Sequence, residues 1–504
     1  MNFNNTVLSL IIFLPMMGAL IIACISNSRA KLIKYVAALF TLIPLILGVI
    51  VFIKFDRSAA MAGVMQFDAN LSWIPLIKAY YHVGLDGISM PLFLLMDLLG
   101  FLVVLISWKI DLRPREYFAW LLLLEASILG VFASLDILLF FIFWEIEVIP
   151  MFFLISIWGA GRKEYSALKY VLYTLFGSAM MLAGILCLYF TTGSLSMVDI
   201  MHNGIGSYVS VVPTALMFFL LIGGFAVKLP VFPFHTWLPD AHTDAPTAVS
   251  VVLAGALLKM GGYGMIRICV SFFPAVARQY APLFIALAVV NIIYGAAVTL
   301  KQTDIKRLIA YSSVSHMGFV LLGIFALTQV SMVGATMQMV SHGLITGLLF
   351  ATAGLVMHNT HERDIAKLGG LARQIPMITV IFTIAGLGAM GVPGTSGFIA
   401  EFMTFLGSFQ SNVLFHGSTL FAHVFTVIAI LGILMGAGYI LWLLQRVFYG
   451  PPQDKFNGVH DADKLERVYS AIFIILIFTI GLDPSILTNI IKTGISPIIH
   501  LIGG

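Results

Sequence analysis

Apolar runs about 20 residues long recur from one end of this sequence to the other, and that recurrence limits what the chain can fold into. A helix needs about 20 mainly apolar residues to cross ~30 Å of hydrocarbon. Runs of that length fall at roughly 6–25, 32–53, 88–108, 117–134, 136–158, 167–190, 211–233 and 246–270. They continue at roughly 281–300, 307–327, 330–357, 376–409, 420–447 and 468–491, which makes fourteen. Only 10% of the 504 residues are charged, against about 25% in a soluble protein, too few to cover a water-facing surface of this size. The expected fold is an all-α polytopic membrane protein with fourteen transmembrane helices in a single membrane domain, 1–504. The longest breaks, roughly 54–87 and 448–467, are too short to build a soluble core.

Several classes drop out. No Lys/Arg-rich run suggests nucleic acid. Cys24, Cys187 and Cys269 lie in apolar stretches without a CxxC, which argues against iron–sulfur ligation and a disulfide framework. Met1 to Leu10 contains no Lys or Arg, so it lacks the basic start of a cleavable signal, and the first stretch is expected to be a retained helix. Of the 27 Lys and Arg residues, nineteen fall in loops after odd-numbered spans and five on the other side. Lys228, Lys259 and Arg267 fall inside spans. By the positive-inside rule the odd loops face the cytoplasm and both termini face away from it.

Ionisable side chains also occur within the apolar runs: Asp97, Glu125, Glu145, Glu147, Lys228, Lys259 and Glu401, with His316 and His342. A charge at the bilayer centre costs about 2.5–3.5 kcal/mol on insertion scales. Asp97 and Glu147 carry no other mark and read equally well as structural groups; Arg267 reads as an interfacial anchor. Lys228 is the sharper case, because Pro230 and Pro233 follow it closely and proline breaks the helical ladder. Glu145, in Phe143-Trp144-Glu145, is an opposite charge on an earlier span, so a pair of Glu145 with Lys228 would act as a switch that holds or releases a proton. In the second half Gly386-Leu-Gly-Ala-Met-Gly-Val-Pro393-Gly-Thr-Ser-Gly397 interrupts the twelfth span, one turn before Glu401.

Two interrupted spans five helices apart, each beside an ionisable residue, resemble the discontinuous helices of inverted-repeat transporters. The predicted organisation is N-terminal helices over 1–110, a first five-helix repeat over 115–272 (spans 4–8), an inverted second repeat over 280–449 (spans 9–13) and a C-terminal helix over 465–504. Tandem units of five spans have opposite topology. His316 and His342 lie between the interrupted spans, and histidine titrates where a proton relay needs it; haem ligation and plain core packing are the alternatives. Met260-Gly-Gly-Tyr-Gly264 lies inside a span with no preceding strand, so its glycines are for close helix packing rather than for a nucleotide.

The longer motifs resemble one family. Phe143-Trp-Glu145, Phe225-Ala-Val-Lys228-Leu-Pro230, His235-Thr-Trp-Leu-Pro-Asp-Ala-His242, Leu253-Ala-Gly-Ala-Leu-Leu-Lys259 and Thr303-Asp-Ile-Lys-Arg-Leu-Ile-Ala-Tyr311-Ser-Ser-Val-Ser-His-Met-Gly318 are similar to the antiporter-like membrane subunits of respiratory complex I (NADH:quinone oxidoreductase) and of multisubunit cation/proton antiporters. The resemblance runs nearly the whole chain. It implies a proton-translocating subunit of an enzyme complex in the bacterial inner membrane, not functional alone, with antiporter-like neighbour subunits and lipid around it. It implies that Glu145 pairs with Lys228, that Lys259 is the central relay, that His316 and His342 extend the path, and that Glu401 is the terminal site. No cofactor or metal is implied in this chain; NADH, FMN, iron–sulfur clusters and quinone are expected in partner subunits. A Na⁺/H⁺ antiporter or a membrane-bound hydrogenase is the alternative assembly.

Overall fold

The computed structural model describes residues 3–503. Among them, fourteen helical units run between two opposite faces, called here spans 1 to 14. They are Phe3–Ala23, Ala30–Ile53, Ser89–Ile106, Pro114–Ala133, Ile137–Trp158, Lys163–Thr192, a broken seventh (Thr214–Lys228 and Trp237–Asp244) and Thr247–Val270. The rest are Pro274–Leu300, Ile305–Phe325, Gln329–Thr360, a broken twelfth (Pro376–Ala389 and Ser396–Phe409), Leu420–Val447 and Lys464–Leu482.

The starts of these helices follow from local chemistry. The first amides of a helix have no intrahelical partner, and here side chains accept from them. Asp136 accepts from the Leu138 and Leu139 amides, and Asp304 from that of Arg307. Thr328 with Ser331 and Asp463 with Glu466 form reciprocal capping boxes. Pro114, Pro274 and Pro376 sit at the first helical position, where the missing N–H costs nothing.

Burial sorts the spans into layers. The most apolar 18-residue stretches of spans 8 and 11 are wholly buried and that of span 10 is 94% buried, whereas only 28% of that of span 2 is covered. The outer spans turn large apolar side chains such as Leu39, Phe190 and Leu434 outward, as hydrocarbon allows and water does not. In the centre small residues set the spacing. A side chain on Gly255 would overlap Leu99, and one on Gly343 would overlap Leu95 and the Gly255 carbonyl, so spans 3, 8 and 11 meet almost backbone to backbone.

Two features depart from the sequence reading. The segment after span 2 holds an antiparallel hairpin, β1 (Gln66–Ile74) and β2 (Ala79–Leu85). Lys78 closes it in the left-handed region at φ 54°, and Asp136 accepts from the Tyr80 amide at 3.0 Å, tying the hairpin to the bundle. Its end of the molecule is the hairpin face; the opposite end, where the nineteen basic loop residues lie, is the basic face. The second departure is at the C-terminus. The last apolar run, expected over 468–491 within one helix over 465–504, stops at Leu482, and a separate helix follows over Ser485–Ile502. Asp483-Pro484 ends the first helix, and hydropathy alone reads across that break.

The second helix is lateral. Its backbone at Ile490 and Gly494 lies on Gly87 before span 3, Ser496 accepts from Gln329 at the start of span 11 (2.6 Å), and the Ile502 carbonyl accepts from Arg278 near the start of span 9 (3.1 Å). A helix that touches three span ends on one face crosses that face. It buries Leu487, Ile491, Ile495 and Ile498 and leaves Asn489, Lys492 and His500 exposed.

Candidate functional site: a row of buried ionisable groups

Lys228 is the last residue of the first half of span 7. The backbone from Leu229 to Thr236 is irregular, and its polar groups find partners inside the protein. Asn291 accepts from the Phe232 amide (2.7 Å) and donates to the Pro230 carbonyl (3.1 Å), while the Trp237 indole donates to the Val227 carbonyl (2.9 Å). A broken helix survives at membrane depth only when its freed groups are satisfied in this way.

The counter-ion of Lys228 is Glu147, not Glu145. The Lys228 ammonium donates to Glu147 and to the Tyr170 hydroxyl (3.0 Å), and Tyr170 in turn donates to the other Glu147 oxygen (2.7 Å). The rings of Trp144 and Tyr170 flank the ammonium at 5.4 and 5.1 Å. The reason lies in the backbone. Span 5 is interrupted between Ile146 and Val148, so Glu147 sits at the joint and points inward, fully buried. Glu145 turns toward a lateral apolar groove of about 730 Å³, among Phe141, Ile149, Phe152 and Leu168. Tyr170 was not singled out from the sequence, because a tyrosine in an apolar span carries no signal of its own.

Lys259 occupies a short α-helical stretch, Leu258–Gly264, between two π-helical turns, Leu253–Leu257 and Met265–Val270. Such turns redirect backbone groups, and here the Ala254 carbonyl accepts from the Lys259 ammonium. Lys259 also donates to His342 Nδ1 at 2.8 Å. The His342 and His316 ring centroids are 5.6 Å apart, and the Nδ1 atoms of the two rings face Lys259 and Glu401. His316 Nδ1 lies 3.5 Å from Glu401 Oε1 and 3.4 Å from the Gln338 amide nitrogen. Lys259, His342, His316 and Glu401 therefore form one row through spans 8, 11, 10 and 12. A cavity of about 10 Å³, bounded by Ser312, His316, Ser341, His342 and Glu401, lies along it, close to the volume that admits one water.

Glu401 is presented by the break in span 12. Gly391 adopts φ 66°, and a side chain there would overlap Glu401 Oε2; the glycine provides both the turn and the space. A residue the sequence reading passed over is His242. It is fully buried and stacked on Phe350 (4.6 Å, 3°), and neither ring nitrogen has a partner. It feels the charges of both Lys306 and Lys259. Toward the basic face Asp240 pairs with Lys169 (2.7 Å) and Arg307 (3.3 Å), Asp244 accepts from Ser166 (2.6 Å), and Lys306 donates to the Ala245 carbonyl (2.6 Å). His242 thus lies between this polar mouth and Lys259. Its signal was the motif that contains it, His235 to His242.

Three remaining candidates sit elsewhere. Arg267, expected as an interfacial anchor, is internal: it pairs with Asp86 at 2.5 Å and reaches the Tyr263 hydroxyl at 3.3 Å. Asp97 and Glu125 lie together between spans 2, 3 and 4, away from the row. Among the described residues no group of three His, Cys, Asp or Glu side chains is placed to hold a metal ion.

Comparisons with known proteins fit this geometry. A family model described as NADH:quinone oxidoreductase/Mrp antiporter, TM, matches residues 134–428, the stretch from span 5 to span 13. NADH-quinone oxidoreductase subunit M of Rhodobacter capsulatus is 37% identical over 98% of this chain and 97% of its own length. A chain of respiratory complex I from Thermus thermophilus superposes with a TM-score of 0.86 at 26% identity, over 99% of this chain and 100% of that one. A chain of the Mrp complex from Dietzia sp. DQ12-45-1b shares the fold, with a TM-score of 0.84 at 17% identity and full coverage of both chains. With its broken spans, its buried lysines and a relative of nearly equal length, this chain belongs to the NADH:quinone oxidoreductase/Mrp antiporter transmembrane family.

Proposed function

We propose that this chain is a subunit-M-type proton translocator of an NADH:quinone oxidoreductase, driven by quinone reduction in other subunits. The observation that carries this reading is the row from Lys259 through His342 and His316 to Glu401, with contacts of 2.8 Å at one end and 3.5 Å at the other. A buried ion pair contributes little net stability against well-packed apolar residues, so a charged row through an otherwise apolar bundle is better explained by use. When the Glu147–Lys228 pair opens, an uncompensated ammonium is left in a dry site, and its proton moves on toward Lys259. From there His342 and His316, bridged where needed by water, pass it to Glu401. His242 and the Asp240/Asp244 mouth are the intake. Glu145, at the lateral groove, faces a neighbouring subunit.

The chain is not functional alone in this reading. Its neighbours are antiporter-like membrane subunits and lipid of a bacterial inner membrane, and NADH, FMN, iron–sulfur clusters and quinone belong to partner subunits. Spans 4–8 and 9–13 form two inverted units, an organisation supported by a break beside an ionisable residue in each. Both termini lie on the non-cytoplasmic side. In the assembled complex, Lys228→Ala or Lys259→Ala should abolish proton translocation while electron transfer to artificial acceptors continues; Glu401→Gln tests the terminal role without changing size. Full translocation in all three variants rejects the row as the path. Sodium-dependent transport by the chain without its partners would favour the antiporter alternative.

A further inference from the structure

Asp97 and Glu125 are buried acids that the row does not use, with 0% and 2% of their surface exposed. They lie about half-way along spans 3 and 4. Among the described residues neither pairs with a cation, and both Asp97 oxygens and Glu125 Oε1 lack any hydrogen-bond partner. Yet each has a fitted place. A Cβ on Gly48 of span 2 would overlap the Asp97 carboxyl, and one on Gly100 of span 3 would overlap that of Glu125. Asp97 and Gly100 are three residues apart and share one face of span 3, and a charge on Asp97 bears on Glu125. The opposite face of span 3 touches the row's own backbone: Leu99 rests on Gly255, one turn before Lys259, and Leu95 on Gly343, next to His342.

A carboxylate buried among apolar side chains with no cation beside it is the costliest occupant of such a place, and a neutral carboxylic acid the least costly. We propose that Asp97 and Glu125 form a second intramembrane proton-binding site, one helix away from the lysine–histidine row, which takes up and releases one proton as the complex turns over. Because a charge on Asp97 bears on Glu125, and two neighbouring carboxylates cannot both ionise cheaply in a dry site, the pair exchanges one proton rather than two. Span 3 couples the site to the row: a change of charge on its Asp97 face shifts the Leu95–Leu99 face against the backbone that carries Lys259 and His342.

The probe is N,N′-dicyclohexylcarbodiimide, an apolar reagent, applied to the assembled complex in its membrane. A protonated carboxyl gives its proton to a carbodiimide nitrogen while its oxygen adds to the central carbon, and the resulting O-acylisourea rearranges to a stable N-acylurea. The expected result is an adduct on Asp97 or Glu125, found by peptide mass spectrometry, that declines as pH rises and is absent from the Asp97→Asn/Glu125→Gln variant. That isosteric variant should also lose a pH-dependent carboxylic C=O band in infrared difference spectra and shift the pH profile of protons moved per electron. Absence of both adduct and band overturns the proposal. So does a band insensitive to pH, or protection from the reagent by sodium ions, which would mark a metal-cation site instead. These readouts need neither Lys228 nor Lys259, so they stand or fall apart from the test of the row.

Discussion

At the scale of single residues the energetics turn on Glu147. Removing one member of a buried ion pair costs about 3–5 kcal/mol, because the other is left charged and unpaired, while replacing both by apolar groups is often neutral. Glu147→Gln should therefore lower the melting temperature of the solubilised complex. The Lys228→Met/Glu147→Leu double variant should restore it, and proton translocation should be lost in both. Glu145→Gln, at a groove rather than in a pair, should change stability by no more than about 0.5 kcal/mol. A stability loss at Glu145 that exceeds the loss at Glu147 would place the counter-ion back where the sequence suggested it. The sequence identified which side chains were out of place in oil but not which of them meet. Glu145 and Glu147 are two positions apart, about 200° around a helix, and only the interruption at the joint decides which one faces Lys228.

At the scale of elements, the broken spans were legible because proline and glycine encode them. Gly391 shows how tightly. Its left-handed φ of 66° costs a non-glycine residue about 1–2 kcal/mol, and a Cβ would also displace the Glu401 carboxyl. Gly391→Ala is expected to lower both stability and protons moved per electron, whereas Gly438→Ala, in mid-helix with open space around it, should be neutral or stabilise by about 0.4–1 kcal/mol. The π turns beside Lys259 were not legible, since no residue type marks them. Element contacts outside the membrane set a pH dependence. Lys109, after span 3, bridges Asp463 (3.0 Å) and Glu466 (2.6 Å) at the start of span 14. For Asp463 burial acts upward, but the Glu466 amide and the Lys109 ammonium outweigh it and hold the carboxyl below its ordinary value. For Lys109 burial acts downward, and the two carboxylates outweigh it and raise the ammonium above its ordinary value. The Asp463 contribution is present above its unfolded pKa and is lost as pH falls through the folded one; the Lys109 contribution persists until pH rises through its raised value. Melting temperature should thus be level through neutral pH and fall in acid, and Lys109→Ala should flatten the acid limb.

At the scale of the whole molecule, the direction of proton movement depends on which face meets the cytoplasm, and the proposed orientation rests on the placement of basic residues. Nineteen basic loop residues gather on one face and five on the other. The face poor in basic residues carries the β-hairpin and the lateral helix, whose apolar side rests on span ends while Lys492 and His500 point outward. The polar mouth of Asp240, Asp244 and Lys306 lies toward the basic face, the one that the positive-inside rule assigns to the cytoplasm. Leu76, 92% exposed at the hairpin turn, and Lys301, exposed after span 9, report the two faces. In intact cells a membrane-impermeant maleimide should label Leu76→Cys and leave Lys301→Cys unlabelled until the membrane is permeabilised. The native Cys24, exposed beyond the end of span 1 on the basic face, serves as an internal control and should behave like Lys301→Cys. Labelling in the reverse order would put the hairpin in the cytoplasm. It would leave every contact in the row intact while making the Asp240–Asp244 mouth an outlet rather than an intake.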